Sequence, residues 1–228
     1  SNIKFDTLPC VEVNGDFQVH QGWTEIGKQI LYYISKTNKN SQTIAVEYYQ
    51  GVLVEETTEA LVNQLNPNLV INTADLMWSE GKIKTIVYPD VTDDRIFGYM
   101  TRLTIDAYFD PEKVNDVRIN IENNQNGIVL IIGSGAAYVC NRPDLMIYAD
   151  MARWEIQLRM RKHEVDNLGL KNRQTEDWML LYKQGFFVDW RVLDRWKKKL
   201  MHETDYLLDT NNRNNPKLIS NAGILAGY

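Results

Sequence analysis

Hydrophobic and polar residues follow two different periods along the chain. Short runs rich in β-branched and aromatic residues predict strands at 43–49, 69–72, 83–88, 127–133, 145–148 and 206–208. Apolar residues three or four positions apart predict helices at 25–35, around 55–65, and at 111–124, 151–166 and 190–202. Because strands and helices alternate, the pattern predicts an α/β fold with a mainly parallel sheet and helices on both faces.

The same pattern divides the chain into three parts. Residues 1–24 contain proline and glycine without a sustained period, which predicts an irregular lead-in. Residues 25–210 carry the alternating elements and form the predicted α/β domain. Residues 211–228 begin with an asparagine-rich polar stretch, which indicates a linker toward a following domain.

Composition and charge exclude several classes of protein. With 44% hydrophobic and 24% charged residues, the 228-residue chain resembles an ordinary globular protein. A net charge of -5 argues against nucleic-acid binding, which relies on an excess of lysine and arginine. No apolar run approaches the roughly 20 residues that span a bilayer, and no signal pattern opens the chain. We therefore expect a cytoplasmic protein with neither nucleic-acid nor membrane partners.

The first strand-to-helix loop is the position at which a phosphate-binding loop would lie in such a fold. The pattern GxxxxGK[ST] supplies glycines, a lysine and a hydroxyl for a nucleotide and its magnesium ion. Started at Gly51, it meets Glu56 and Thr57 in place of the second glycine and the lysine; started at Tyr48, it meets aliphatic residues. Residues 40–81 also contain six carboxylates and no lysine or arginine. This stretch therefore predicts an ordinary turn.

Basic residues are concentrated later in the chain. Residues 150–202 contain twelve lysines and arginines against eight carboxylates. Arginine side chains can grip phosphate oxygens at two points, and a glycine-rich turn after a central strand allows a ligand to approach the backbone. The candidate phosphate-binding residues are Arg95, Arg102, Gly133, Ser134, Gly135, Arg153 and Arg161. The alternative is a solvated helix face paired with neighbouring acids.

Adjacent carboxylates at Asp93 and Asp94 lie in a segment that also contains arginines and aromatic rings. They are candidates for a general base. They could equally cap a helix that begins near Arg95.

Four strings carry a resemblance to a known family: 49–51 (YQG), 88–103 (YPDVTDDRIFGYMTRL), 148–155 (YADMARWE) and 187–192 (FVDWRV). Together they resemble the N-terminal domain of the long bacterial class I mannose-6-phosphate isomerases, in which a kinase-like domain of the P-loop type precedes a cupin-type isomerase domain. The resemblance implies a P-loop kinase-like fold with a degenerate phosphate loop. It also implies that the parent protein interconverts mannose 6-phosphate and fructose 6-phosphate at a zinc site in the cupin portion. No stretch of this chain matches that portion, so no catalytic residue, metal or cofactor is assigned to it.

Two functions stay open at this point, and with them the question of whether the chain is an enzyme. In the first, a non-catalytic kinase-like module binds a small phosphorylated metabolite or packs on the cupin-type isomerase domain of the same parent. In the second, an active sugar or nucleoside phosphotransferase uses a non-standard phosphate loop, with Asp93 or Asp94 as its base.

Overall fold

A seven-stranded sheet runs through the middle of the fold, which the computed structural model describes for residues 18–221. The strand order is β1-β7-β6-β5-β2-β4-β3. Strands β2 to β6 are parallel to one another, and at one edge β7 pairs antiparallel with both β6 and β1. The strands are β1 (Val19–Gln21), β2 (Ser41–Tyr48), β3 (Leu69–Asn72), β4 (Gly127–Gly133), β5 (Leu145–Asp150), β6 (Tyr206–Asp209) and β7 (Lys217–Ser220).

Helices occupy the connections between the strands. They are α1 (Trp23–Ser35), α2 (Val54–Leu65), α3 (Glu80–Val91), α4 (Pro111–Asn123), α5 (Ala136–Val139), α6 (Arg153–Arg161), α7 (Trp178–Gln184) and α8 (Trp190–Leu200). Two 3-10 turns lie at Thr73–Leu76 and Ile105–Tyr108, and a π-helical turn at Gly185–Asp189 joins α7 to α8. None of the helices among residues 18–221 is long and apolar enough to cross a bilayer.

The centre of the sheet confirms the predicted α/β class. Four consecutive residues of β4, from Val129 to Ile132, are at most 1% exposed. Because successive side chains of a strand point to opposite faces, both faces of the sheet are covered there. The chain places β3 and β4 on one side of β2, and β5 and β6 on the other. A crevice at the carboxyl ends of the strands is expected where the order reverses in this way.

Residues 83–88, predicted as a strand, lie inside helix α3 instead. Their β-branched and aromatic residues favour a strand locally, but Ile83 and Val87 are four residues apart and both are buried. The Ser79 hydroxyl accepts a hydrogen bond from the Lys82 amide at 3.4 Å and caps the helix. Burial of one helical face therefore decides the structure of this segment.

The ends of the predicted domain also differ from the structure. The predicted linker from residue 211 contains β7, which pairs with both β6 and β1. The predicted lead-in contains β1 and the start of α1, so the sheet extends beyond 25–210 on both sides. Residues 1–17 and 222–228 lie outside the described residues. Helix α6 is shorter than the predicted 151–166, and α7 with the π-helical turn was not predicted.

Candidate functional site

A cleft of about 820 Å³ lies at the carboxyl ends of β2, β3 and β4. Its walls come from the loop after β2, the 3-10 turn after β3, the turn after β4 and the segment 164–174. This is the crevice expected from the strand order, and the loop after β2 occupies the place of a phosphate-binding loop. The cleft is therefore the candidate ligand site of the chain.

The loop after β2 is held by the protein's own side chains. The Gly51 carbonyl accepts a hydrogen bond from the buried Arg159 guanidinium at 2.7 Å. The side-chain nitrogen of Gln50 donates a hydrogen bond to the backbone carbonyl of Asp166 at 3.2 Å. Gly51 has a φ of 97°, and a Cβ there would lie 2.7 Å from Cγ1 of Ile156. The glycine thus makes room for a core side chain, and its position does not depend on a ligand.

A fully buried carboxylate, Glu47, binds the turn that follows β4. Its two oxygens accept hydrogen bonds from the Gly135 amide at 2.5 Å and the Ala137 amide at 3.0 Å. Burial raises the pKa of Glu47 to about 7, although the amide donors act in the opposite direction. The Gly135 amide, a predicted ligand-binding group, is therefore already bonded to a side chain of the protein.

Gly133 and Ser134, the other predicted residues of this turn, do line the cleft. The Ser134 hydroxyl donates to the Tyr48 carbonyl at 2.8 Å, and the Thr73 hydroxyl donates to the Ser134 carbonyl at 2.9 Å. A Cβ on Gly133 would lie 2.2 Å from the Thr73 hydroxyl oxygen. The turn packs tightly between the ends of β2 and β3, and this packing requires its glycine.

A second fully buried carboxylate, Asp189, joins two walls of the cleft. One oxygen accepts from the Gln50 side chain at 2.8 Å, the Asn167 side chain at 2.7 Å and the Leu168 amide at 3.2 Å. Burial raises the pKa of Asp189 to about 6. The side chain lies at the end of the π-helical turn, a feature often found at functional sites.

The charges that line the cleft are mainly negative. The carboxylates are Glu55, Asp75, Glu80, Glu164 and Asp166, and the cations are Lys113, Lys171 and Arg173. Arg173 pairs with Glu55 at 3.0 Å and with Asp166 at 3.7 Å. Lys113 donates to the Asp75 carbonyl at 3.2 Å. Two of the three cations are therefore engaged with groups of the protein.

The predicted arginines of α6 make contacts within the protein. Arg153 pairs with Asp194 at 3.0 Å and stacks over the Trp190 ring at 4.2 Å. Arg161 stacks over Trp178 at 5.0 Å. Neither residue lines the cleft. Arg153 is paired with an acid, as the alternative of a paired helix face expects, whereas Arg161 contacts an aromatic ring.

The predicted carboxylate pair and the remaining arginines lie in the segment after α3. Asp93, Asp94 and Arg95 line a separate, smaller pocket of about 310 Å³, and Arg102 is exposed. The Asp94 carboxylate accepts hydrogen bonds from the backbone amides of Ile96 and Phe97, each at 2.7 Å, and so closes a turn. No helix begins at Arg95, which corrects the capping prediction. The structure therefore brings Gly133 and Ser134 to the cleft but not the arginines or the acid pair.

Sequence reasoning missed the two buried carboxylates. Glu47 could have been found, since it is the one charged residue of β2 and directly follows three hydrophobic residues. Asp189 had no comparable signal because its partners are distant in sequence. The described residues contain no group of three or more histidine, cysteine or carboxylate side chains placed to hold a metal ion.

Comparisons with known proteins give a fold-level likeness and a family. A solved structure described as "putative fructose transport system kinase" from Silicibacter sp. TM1040 is 10% identical, with a TM-score of 0.48 over 76% of this chain and 94% of that chain. No curated protein matches the sequence. A family model described as a domain of unknown function, DUF8485, matches residues 22–228, and the chain belongs to that family.

Proposed function

We propose that this chain is a non-catalytic binding module whose cleft takes a small, hydroxyl-rich molecule without a phosphate group. The observation that carries the proposal is the charge of the cleft. Five carboxylates and three cations line it, a surplus of two negative charges. Arg173 is paired with Glu55 and Asp166, and Arg213 with Glu164, so Asp75 and Glu80 are the lining carboxylates outside any ion pair of the described residues. A phosphate loop needs the opposite arrangement, with a lysine and open amides facing the ligand.

Electrostatic energies make this difference large enough to matter. Two like charges about 4 Å apart repel by about 4 kcal/mol at an effective dielectric constant of about 20. A polyphosphate near Asp75 and Glu80 would meet such repulsion, because neither carboxylate is in an ion pair among the described residues, and Arg173 is already paired with Glu55. The two buried carboxylates beneath the cleft add to the negative potential once they are ionised. Phosphotransfer from a nucleotide is therefore disfavoured at this position.

The lining groups favour a ligand that donates hydrogen bonds. Ionised carboxylates only accept, and the side chains of Asn72 and Gln174 add further polar groups. Trp78 adds an aromatic surface to the cleft lining. Free sugars and nucleosides combine many hydroxyl donors with an apolar face, so they match these groups. The phosphorylated metabolite expected from the basic cluster has less support, because its proposed arginines lie elsewhere. The isomerase parent and its cupin partner stay predictions of the resemblance.

Thermal unfolding with a panel of ligands tests the proposal. The panel contains mannose, fructose, their 6-phosphates, adenosine, uridine, and ATP and GTP with magnesium. A ligand at about 100 times its dissociation constant adds about 2.7 kcal/mol, which raises the melting temperature by roughly 5–10 °C for a chain of this size. We expect a rise with an unphosphorylated sugar or nucleoside. Stabilisation by ATP with transfer of its phosphate would establish the active phosphotransferase instead, and no stabilisation at all would favour a packing role.

A matched pair of tryptophan variants locates the site. Trp78→Ala removes the aromatic wall of the cleft and should abolish the shift produced by the active ligand. Trp154→Ala removes a tryptophan that is 57% exposed on α6 and should leave that shift unchanged. Equal effects of the two variants would mean that the ligand binds outside the cleft.

A further inference from the structure

The segment after α3 exposes an unusual amount of apolar surface. Four of the five residues from 96 to 100, together with the nearby side chain of Tyr88, are between 50% and 69% exposed. They are Tyr88, Ile96, Phe97, Tyr99 and Met100. Single exposed apolar residues are common, but a contiguous run of this kind marks an interaction site. We name Tyr88 and residues 96–100 the apolar platform.

The backbone of the apolar platform is held firmly in place. Asp94 accepts hydrogen bonds from two of its amides, and the Tyr99 amide donates to the Asp90 carbonyl at 2.7 Å. The amide of Thr101 donates to the Phe187 carbonyl at 3.0 Å. Lys183 also donates to the Asp94 carbonyl from the opposite side. A platform fixed in this way loses little conformational entropy when a partner covers it.

We propose that the apolar platform is the interface of a symmetric homodimer. With roughly 200 Å² for a fully exposed residue of this size, its five large residues expose about 600 Å². A stable interface buries about 800 Å² on each partner, of which about 65% is apolar in homodimers. The apolar platform is therefore large enough to form the apolar part of one side of such a dimer, and the charged residues around it would supply the rest.

The charges around the apolar platform suit a second copy of the same chain. In a two-fold interface the same patch meets itself, so it must carry both signs of charge to be complementary. Acidic side chains at Asp90, Asp93 and Asp94 and basic side chains at Arg95 and Arg102 flank the platform. A nucleic acid or an anionic membrane would instead favour a rim of one sign.

Mass measurement in solution tests this inference independently of the ligand site. Light scattering coupled to size exclusion should give twice the chain mass of 26.5 kDa at micromolar concentration. The double variant Phe97→Ser with Tyr99→Ser should give the single mass with unchanged circular dichroism. The control, Tyr32→Ser with Trp154→Ser, removes two rings that are each 57% exposed elsewhere and should remain dimeric.

Two results would overturn the dimer. One is a wild-type chain that stays monomeric at high micromolar concentration, and the other is a platform variant that still shows the double mass. If the platform variant fails to fold, hydrogen exchange of the wild-type chain decides instead. Exchange across 95–101 should slow as the protein concentration rises, and exchange that does not depend on concentration would contradict the proposal.

Discussion

Replacing Glu47 by glutamine should remove a large pH dependence from the stability of this fold. Glu47 is fully buried, and its carboxylate oxygens accept hydrogen bonds from the Gly135 and Ala137 amides. Burial raises its pKa from 4.5 to about 7. Each pKa unit of such a shift corresponds to about 1.4 kcal/mol. Ionised Glu47 therefore lowers the free energy of unfolding by about 3 kcal/mol above pH 7, relative to the protonated form.

The direction of the effect follows from proton binding. Between pH 4.5 and about 7, the folded state holds a proton on Glu47 that the unfolded state has already released. Stability therefore falls as the pH rises through this window. Glutamine stays neutral throughout, but it offers one acceptor fewer to the Gly135 and Ala137 amides, which costs about 1 kcal/mol. The variant should be less stable than the wild type at pH 5 and more stable at pH 8.

Urea denaturation monitored by tryptophan fluorescence, at several pH values between 5 and 8, measures the free energy of unfolding of both proteins. It shows the pH at which the variant becomes the more stable of the two. Glu25→Gln is the control, because Glu25 is an exposed carboxylate paired with Lys28 on the surface of α1. Its stability curve should run parallel to that of the wild type. A Glu47→Gln curve that also runs parallel to the wild type would refute the argument, since the buried carboxylate would then have an ordinary proton affinity.

Three further substitutions test how the cleft is built, each by urea denaturation at pH 7. Gly133→Ala places a Cβ against the Thr73 hydroxyl at a residue with positive φ, so it should lower the free energy of unfolding by more than about 1 kcal/mol. The control Gly81→Ala adds a Cβ in open space and should be neutral or stabilising. Arg159→Leu leaves three backbone carbonyls without their donor and should cost about 3 kcal/mol or more; the exposed Arg161→Leu should cost less than about 1 kcal/mol. Asp189→Ala removes the acceptor of three hydrogen bonds and should cost about 3 kcal/mol, while Asp189→Asn should cost less because its amide oxygen can accept them.

Most of the sheet was predictable because strands that are buried on both faces consist of consecutive hydrophobic residues, which are easily recognised in the sequence. Strand β3 matches its predicted residues 69–72, and β4 matches 127–133. Residues 83–88 were misread because their composition favours a strand while their buried positions follow a helix. Strand β7 was missed because its four residues follow a polar stretch and pair with strands far away in sequence.

The candidate site was predictable only at its backbone turns. A glycine turn after a central strand must lie at the carboxyl edge, and Gly133 and Ser134 do line the cleft there. Their role in binding a ligand stays a prediction. The arginines could not be placed in the same way, because a surplus of charge does not reveal which partners a helix meets. Arg153 found Asp194 and Trp190 on α8, a helix forty residues later.

The two buried carboxylates explain why a fold suited to anions presents a negative cleft. At the carboxyl edge of a parallel sheet, turn amides and helix ends usually remain open to an anionic ligand. Here the Glu47 carboxylate already occupies the Gly135 and Ala137 amides, and the Asp189 carboxylate occupies the Leu168 amide. Internal carboxyl groups thus take bonding positions that an external phosphate would use, and once they are ionised their charges repel a second anion. Under the proposed function, such an edge keeps the crevice of the fold and favours ligands that donate hydrogen bonds over a phosphate.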